Sequence, residues 1–248
     1  MPLRALRQRP EHAALLTDFD GTLSEIVVDP EQARPRPGVV ETLSALAHRL
    51  GRVAVVSGRP VDFLAAHVTD PAVELIGQYG LEGRRSGDRW EHPDADRWRG
   101  RIDELAVRAR TELPSVVTVE PKGMGMTLHY RGAPTAEPDV KSWAARNSGE
   151  FVLRPARRSV ELHPPIEVDK GVAVLELADG HDPVAYLGDD VGDLPAFKAL
   201  GILRGRGVTV ARIVVSSAEV AEELLVEADD VVAGPEAMVA LLRGLADA

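Results

Sequence analysis

The sequence predicts an α/β fold, a doubly wound parallel sheet with an inserted α+β domain. Three observations predict it. Short apolar runs recur, and each ends in reactive residues. Ala13–Leu16 leads to Asp18 and Asp20, Arg52–Val56 to Ser57-Gly58-Arg59, and Val184–Leu187 to Gly188-Asp189-Asp190. Helical patterns lie between them, and strand alternating with helix implies parallel strands buried on both faces. From Trp90 to Pro165 that rhythm breaks, and the pattern becomes αββαββ.

The first strand ends in two carboxylates two residues apart, which repel unless a cation or proton lies between them. Pro37–Leu50 places Val39, Val40, Leu43, Leu46 and Leu50 on one helical face, with Pro37 near the first turn. Val172, Leu175 and Leu177 mark a helix after Lys170-Gly171. Glu219–Glu227 and Pro235–Leu245 read as helices, with Val231-Val232 as a short strand between. In the insert, Asp94–Leu113 and Ala136–Asn147 read as helices. Val116–Glu120, Met124–Tyr130, Phe151–Arg154 and Ser159–His163 read as strands. The boundaries are therefore a core of 1–89 and 166–248 and an insert of 90–165, with Pro164-Pro165 as the hinge back.

At 248 residues with 44% hydrophobic content, the chain has ample material for a core. Lys and Arg total 29 against 39 Asp and Glu, a net charge of −10, which argues against a nucleic-acid partner. There is no cysteine, so disulfides and zinc-thiolate sites are excluded. Met1–Glu11 lacks the apolar stretch of a secretory signal, and no run approaches a membrane span. The expected setting is the cytoplasm, with no membrane partner.

Four motifs follow in order: Asp18-x-Asp20-Gly21-Thr22-Leu23, Ser57-Gly58-Arg59, Lys170, and Gly188-Asp189-Asp190-x-x-Asp193. The set resembles the haloacid dehalogenase superfamily of phosphotransferases, whose core is Rossmannoid. The resemblance implies that Asp18 is the nucleophile and forms an aspartyl-phosphate. Asp20 would be general acid and then base. Ser57 and Gly58 would bind phosphate, with Pro60 opening a helix whose N-terminus faces the anion. Lys170 would be a fixed cation serving both phosphate binding and catalysis. Mg²⁺ would be held by Asp18, the backbone carbonyl of Asp20 and Asp189, with Asp193 orienting that shell.

The insert lies between Arg59 and Lys170, the position of a cap domain in that superfamily. It contains Glu120-Pro121-Lys122, His129-Tyr130-Arg131 and Glu161-Leu162-His163-Pro164. These segments resemble those of trehalose-6-phosphate phosphatases, as does Gly77–Glu82. By that match Arg59, Glu120, Lys122, Arg131 and Glu161 are substrate-binding residues, and charged groups make strong hydrogen bonds to hydroxyls. The resemblance implies that the substrate is the sugar phosphate trehalose 6-phosphate, hydrolysed to trehalose and phosphate, with a trehalose-phosphate synthase a possible partner and a monomer the expected state. Another glycosyl phosphate as substrate, or a catalytically silent sensor, remain the alternatives. The chain departs from the family pattern at Gly192, Leu194 and Pro195, and at His163, where the family has arginine.

Overall fold

The computed structural model describes residues 3–27, 29–156, 158–217 and 220–247. The chain divides into two compact units, Met1–Trp90 with Val168–Ala248, and Glu91–Glu167. Along the sequence, α1 (Arg4–Gln8) precedes β1 (Ala14–Thr17), α2 (Val39–Ala47), β2 (Arg52–Val56), α3 (Val61–His67), β3 (Glu74–Gly77), β4 (Glu82–Arg85) and β5 (Asp88–Glu91). The insert comprises α4 (Ala95–Glu112), β6 (Thr118–Lys122), β7 (Gly125–His129), α5 (Glu137–Asn147), β8 (Val152–Ala156) and β9 (Ser159–His163). The return runs α6 (Lys170–Leu177), β10 (Val184–Gly188), α7 (Leu194–Gly205), β11 (Val210–Ser216), α8 (Glu222–Glu227), β12 (Asp230–Ala233) and α9 (Gly234–Ala246).

Eight strands form one sheet in the order β12-β11-β10-β1-β2-β3-β4-β5. From β12 to β3 every neighbouring pair is parallel. Strand side chains alternate between faces, so each strand feeds two cores. Leu15, Val53, Val55, Ala185, Leu187 and Ile213 pack with Leu43 and Leu46 of α2 and Met238 and Leu242 of α9. Leu16, Ala54, Val56, Tyr186 and Val214 pack with Val174 and Leu177 of α6 and Phe197 and Leu200 of α7. This double winding buries β1 completely.

The expected sheet was wholly parallel. Instead β4 pairs antiparallel with β3, and β5 follows beyond it. The turn between them uses Ser86 and Gly87, both at positive φ, which suits a tight hairpin. Charged sequences, Glu-Gly-Arg-Arg and Asp-Arg-Trp-Glu, hide both strands from an apolar pattern. β11, with Arg212 amid its apolar residues, is likewise absent from the sequence reading.

Two helices are shorter or rotated. Gly38 stands at φ +84° before α2, so the helix starts at Val39 and not at Pro37. In α6 the buried face is Lys170, Ala173, Val174 and Leu177, one helical stripe, and Val172 is exposed. Burial of Lys170 sets that rotation. Among the described residues α8 begins at Glu222; Glu219, the expected start, lies outside them.

The insert forms an antiparallel sheet in the order β6-β7-β9-β8. Met126, Leu128, Val160 and Leu162 are buried, with α4 packed on β6 and β7 and α5 on β9. Strand alternation turns Glu120, Lys122, Thr127, His129, Glu161 and His163 to the opposite face, and the register sets Glu120 across from Thr127 and Thr127 across from Glu161.

Candidate active site

Strands β10, β1 and β2 are neighbours, and their carboxyl ends deliver Asp189, Asp18 and Ser57 to one edge of the sheet. From β1 the chain steps one way to β2 and β3, and from β10 the other way to β11 and β12. Such a switch point opens a crevice at the strand ends. Asp18 remains tied to the sheet, because its N–H donates to the Leu187 carbonyl at 2.8 Å.

Lys170 opens α6, whose N-cap Asp169 accepts the Val172 N–H. Its Nζ donates to Asp18 Oδ1 at 2.6 Å and to Asp193 Oδ1 at 2.7 Å. Asp193 Oδ1 also accepts from the Tyr186 hydroxyl at 2.7 Å. Its Oδ2 accepts the N–H groups of Asp189 at 2.9 Å and Asp190 at 3.3 Å. Four hydrogen bonds on one carboxylate leave Asp193 anchoring Lys170 and the Asp189 loop. Asp190 caps that loop by accepting the Gly192 N–H at 2.8 Å, so glycine in place of threonine still supplies its backbone donor.

Asp18, Asp189 and Asp193 are all buried, with ligand oxygens within 4.8 Å of one another. Lys170 pairs with two of these three carboxylates, Asp18 and Asp193. Burial pushes the Asp18 carboxyl well above the usual carboxylate range, against the pull of Lys170. Desolvation works against the Lys170 charge, but Asp18 and Asp193 outweigh it and hold its pKa well above the ordinary lysine value. Burial, with Asp193 next, raises the Tyr186 phenol, which stays a donor. An all-oxygen, buried, charge-deficient cluster fits a hard divalent metal. In the adjoining turn, Thr22 Oγ1 is buried with no hydrogen-bond partner among the described residues. Gly21 stands at φ +79°, and a Cβ there would lie 2.1 Å from Asp189 Oδ2. Only glycine lets this turn approach that carboxylate.

The Ser57-Gly58-Arg59 loop is pinned from outside. Tyr79 N–H donates to the Ser57 carbonyl and Gln78 N–H to the Arg59 carbonyl, both at 3.0 Å. Gln78 and Tyr79 adopt φ +47° and +62°, a strained pair for residues with side chains. The Tyr79 ring lies where a Gly58 side chain would be. Ser57 Oγ accepts the Arg59 N–H at 3.2 Å.

Two expectations change here. The sequence sets the start of α3 to face an anion, but its Val61 N–H donates to Glu82 Oε1 at 2.7 Å. The family resemblance makes Arg59 a substrate ligand, but its Nε and Nη2 donate to the two oxygens of Asp20 at 2.7 and 2.8 Å. Tyr186 carries no motif of its own, whereas Thr22 lies in the first motif and Gln78 and Tyr79 lie in the Gly77–Glu82 segment, none of them singled out for a role. A polar residue inside the apolar strand Val-Ala-Tyr-Leu-Gly was the one available signal for Tyr186.

On the insert's polar face, His129 Nε2 meets Glu120 Oε2 at 2.6 Å and His163 Nε2 meets Glu161 Oε2 at 2.8 Å. Lys122 Nζ lies between, 3.5 Å from Glu120 and 3.7 Å from Glu161. Glu120, Lys122 and Glu161 are thus one cluster, while Arg131 lies in the turn after β7.

A family model described as Trehalose-phosphatase matches residues 16–228. The chain belongs to the trehalose-phosphatase family. It is 36% identical over 202 residues to the trehalose-phosphate phosphatase of Mycobacterium avium (strain 104), and 35% to that of Mycobacterium tuberculosis (strain ATCC 25618 / H37Rv). Each match covers 76% of this chain and 51% of the relative. The chain thus spans about half the length of the curated relatives it matches. Among solved structures, the C-terminal domain of C. albicans trehalose-6-phosphate phosphatase matches with TM-score 0.79 and 22% identity, covering 97% of this chain and 94% of that one. A trehalose-6-phosphate phosphatase related protein matches with TM-score 0.75 and 21% identity, covering 94% and 97%. These likenesses establish the fold. Membership of the trehalose-phosphatase family implies a divalent metal at the acidic cluster. Among the described residues no helix is long and apolar enough to cross a membrane.

Proposed function

We propose that this chain is a Mg²⁺-dependent phosphatase that hydrolyses trehalose 6-phosphate to trehalose and phosphate through a phosphorylated Asp18. The observation that carries this reading is the buried Asp18–Lys170 contact at 2.6 Å with Asp189 beside it at the head of β1. Relatives named trehalose-phosphate phosphatase support the substrate.

Asp18 attacks phosphorus; the new Asp18 O–P bond forms as the bond to the sugar oxygen breaks. Asp20 gives that oxygen its proton, then takes one from the water that attacks phosphorus and releases Asp18. Lys170 keeps its positive charge throughout and offsets the charge building on the phosphoryl oxygens. Ser57 Oγ and the Gly58 N–H hold phosphate oxygens. Asp18, Asp189 and the Asp20 backbone carbonyl would hold the Mg²⁺, which supplies charge neutralisation when bound. Asp193 keeps Lys170 and Asp189 in register. On the insert, Glu120, Lys122, Arg131 and Glu161 hydrogen-bond sugar hydroxyls. The protein acts as a cytoplasmic monomer on a substrate that a trehalose-phosphate synthase supplies.

His163 favours a second reading. An imidazole paired with Glu161 stands where the family carries arginine, which suits a different glycosyl phosphate, such as sucrose 6-phosphate or a mannosylglycerate-type phosphate. Phosphate release with Mg²⁺ from trehalose 6-phosphate, sucrose 6-phosphate, mannosylglycerate phosphate and glucose 6-phosphate separates the two. A hundredfold preference in kcat/KM for trehalose 6-phosphate, about 2.7 kcal/mol of transition-state binding, upholds the first. A flat profile removes the trehalose assignment, and no release from any of them leaves a silent sensor.

A further inference from the structure

We propose that Arg59 is the positioning residue of the acid–base carboxylate, holding Asp20 in one orientation from a rigid mount. The inference rests on the role given above to Asp20. The guanidinium meets Asp20 as a fork, with one N–H on each oxygen. A planar fork fixes both the distance and the plane of a carboxylate, which a lysine ammonium cannot do.

Arg59 is itself held on several sides. Its Nη1 donates to the Pro30 carbonyl at 2.9 Å, and its guanidinium carbon lies 4.4 Å over the centre of the Phe63 ring. Phe63 packs edge-on against Phe19, with ring centres 5.7 Å apart. Phe19 is fully buried and precedes Asp20 in the chain. The contacts close a circuit, Asp20 to Arg59 to Phe63 to Phe19 and back to Asp20 along the backbone. The same stack thereby fixes the backbone that carries Asp20 and the group that aims its side chain.

The circuit matches what the reaction asks of this carboxylate. Asp18 and Lys170 are sealed in, with side chains 7% and 5% exposed, whereas the Asp20 side chain is 34% exposed and open to a ligand. Each Asp20 oxygen accepts one N–H from the fork and keeps a second lone-pair site, where the proton given to the sugar oxygen is carried and the proton from water is accepted. Displacement of a reacting group by about 1 Å can cost about 100-fold in rate. A group that must meet the sugar oxygen in one step and water in the next gains from a fixed aim. Ser57, Gly58 and Arg59 are consecutive, so one loop places the phosphate ligands and the mount together.

The test compares Arg59→Lys, Asp20→Asn and the double variant on trehalose 6-phosphate and on p-nitrophenyl phosphate, whose phenolate leaves without a proton. Arg59→Lys is expected to lower kcat for trehalose 6-phosphate tenfold or more with KM within threefold. The rate of the first-turnover burst of p-nitrophenolate is expected to change less than threefold. In the Asp20→Asn background, Arg59→Lys should add less than twofold. Equal loss on both substrates would mean a general structural role, and a raised KM with kcat intact would return Arg59 to substrate binding; either overturns the proposal. A damaged Asp20→Asn enzyme in which Arg59→Lys still adds its full factor overturns this proposal alone. Undiminished turnover by Asp20→Asn overturns the acid–base role, and the proposal with it. Phe63→Leu removes the platform and leaves the fork, so it should give the same pattern in smaller measure should Arg59→Lys not fold; equal loss on both substrates there counts against the proposal too.

Discussion

Gly21→Ala tests the catalytic crevice with a single methyl group. Two costs arise, and they separate. Residue 21 stands at φ +79°, a left-handed conformation that costs an L-residue roughly 1–2 kcal/mol. In a chain of this length that lowers Tm by about 2–8 °C. The second cost falls on Asp189. The new Cβ would lie 2.1 Å from Asp189 Oδ2 and 2.3 Å from its Cγ, where ordinary contact begins at 3.4 Å. The carboxylate or the turn must therefore shift by more than an ångström. Displacement on that scale in a reacting constellation costs on the order of 100-fold. Thermal unfolding reads the first cost. Phosphate release across a Mg²⁺ titration reads the second, with kcat/KM down about 100-fold and half-activation moved to higher Mg²⁺. A Gly21→Ala enzyme with the lowered Tm but full kcat/KM and unchanged Mg²⁺ dependence would refute the reasoning, because Asp189 would then move without consequence for the chemistry.

Three other perturbations read different parts of the molecule. Asp18→Asn should abolish turnover without lowering Tm, since it replaces a carboxylate that burial already disfavours as an anion with a neutral group of the same shape; full activity would remove the nucleophile assignment. Lys122→Ala should raise KM for trehalose 6-phosphate about tenfold, the worth of one charge-assisted hydrogen bond, and spare p-nitrophenyl phosphate. Equal damage to both substrates would take Lys122 out of sugar recognition. Saturating Mg²⁺ should raise Tm by several degrees, because a ligand at about 100 times its Kd adds about 2.7 kcal/mol to the folded state; an unchanged Tm would mean that the acidic cluster holds no cation.

What the sequence made legible follows from short-range physics. A buried strand must be apolar, so the step from Leu16 through Thr17 to Asp18 marks where the strand meets the crevice, and the same holds at Val56–Ser57 and Leu187–Gly188. β2 has the very bounds that its apolar run announces. Side-chain partnerships across distant segments leave no such mark. That Arg59 spends its fork on Asp20 depends on how β2 lies beside β1. That Asp193 is a fourfold acceptor depends on Tyr186 pointing to the α6 side of the sheet, which is fixed by strand parity and by the rotation of Lys170 into the core. The apolar pattern of Val172, Leu175 and Leu177 marks the helix but not that rotation, because hydropathy does not expect a lysine to lead a buried stripe. β4 and β5 were invisible for a related reason. An edge hairpin needs its backbone hydrogen bonds and one tight turn, and its side chains are free to be charged.

The charge balance ties these features together. Under the proposed function, a chain of net charge −10 would meet a phosphate monoester with long-range repulsion, and its crevice adds three buried carboxylates beside one lysine. Lys170 is already shared between Asp18 and Asp193, so it cannot be the whole answer to an incoming anion. Charge on that scale is relieved in two ways, by proton uptake or by a cation. Proton uptake is the course that burial favours at Asp18, and it would silence the nucleophile. A divalent cation beside Asp18 and Asp189 leaves the nucleophile ionised and makes the crevice attractive to phosphate. The acid-rich crevice is then a two-state device. Without the cation, burial works against the ionised form of Asp18; with it, the same carboxylate would serve as both ligand and nucleophile. Under the proposed function, metal dependence would originate in the burial of Asp18, and a variant that opened this pocket to water is expected to weaken that dependence before it weakens binding of the sugar.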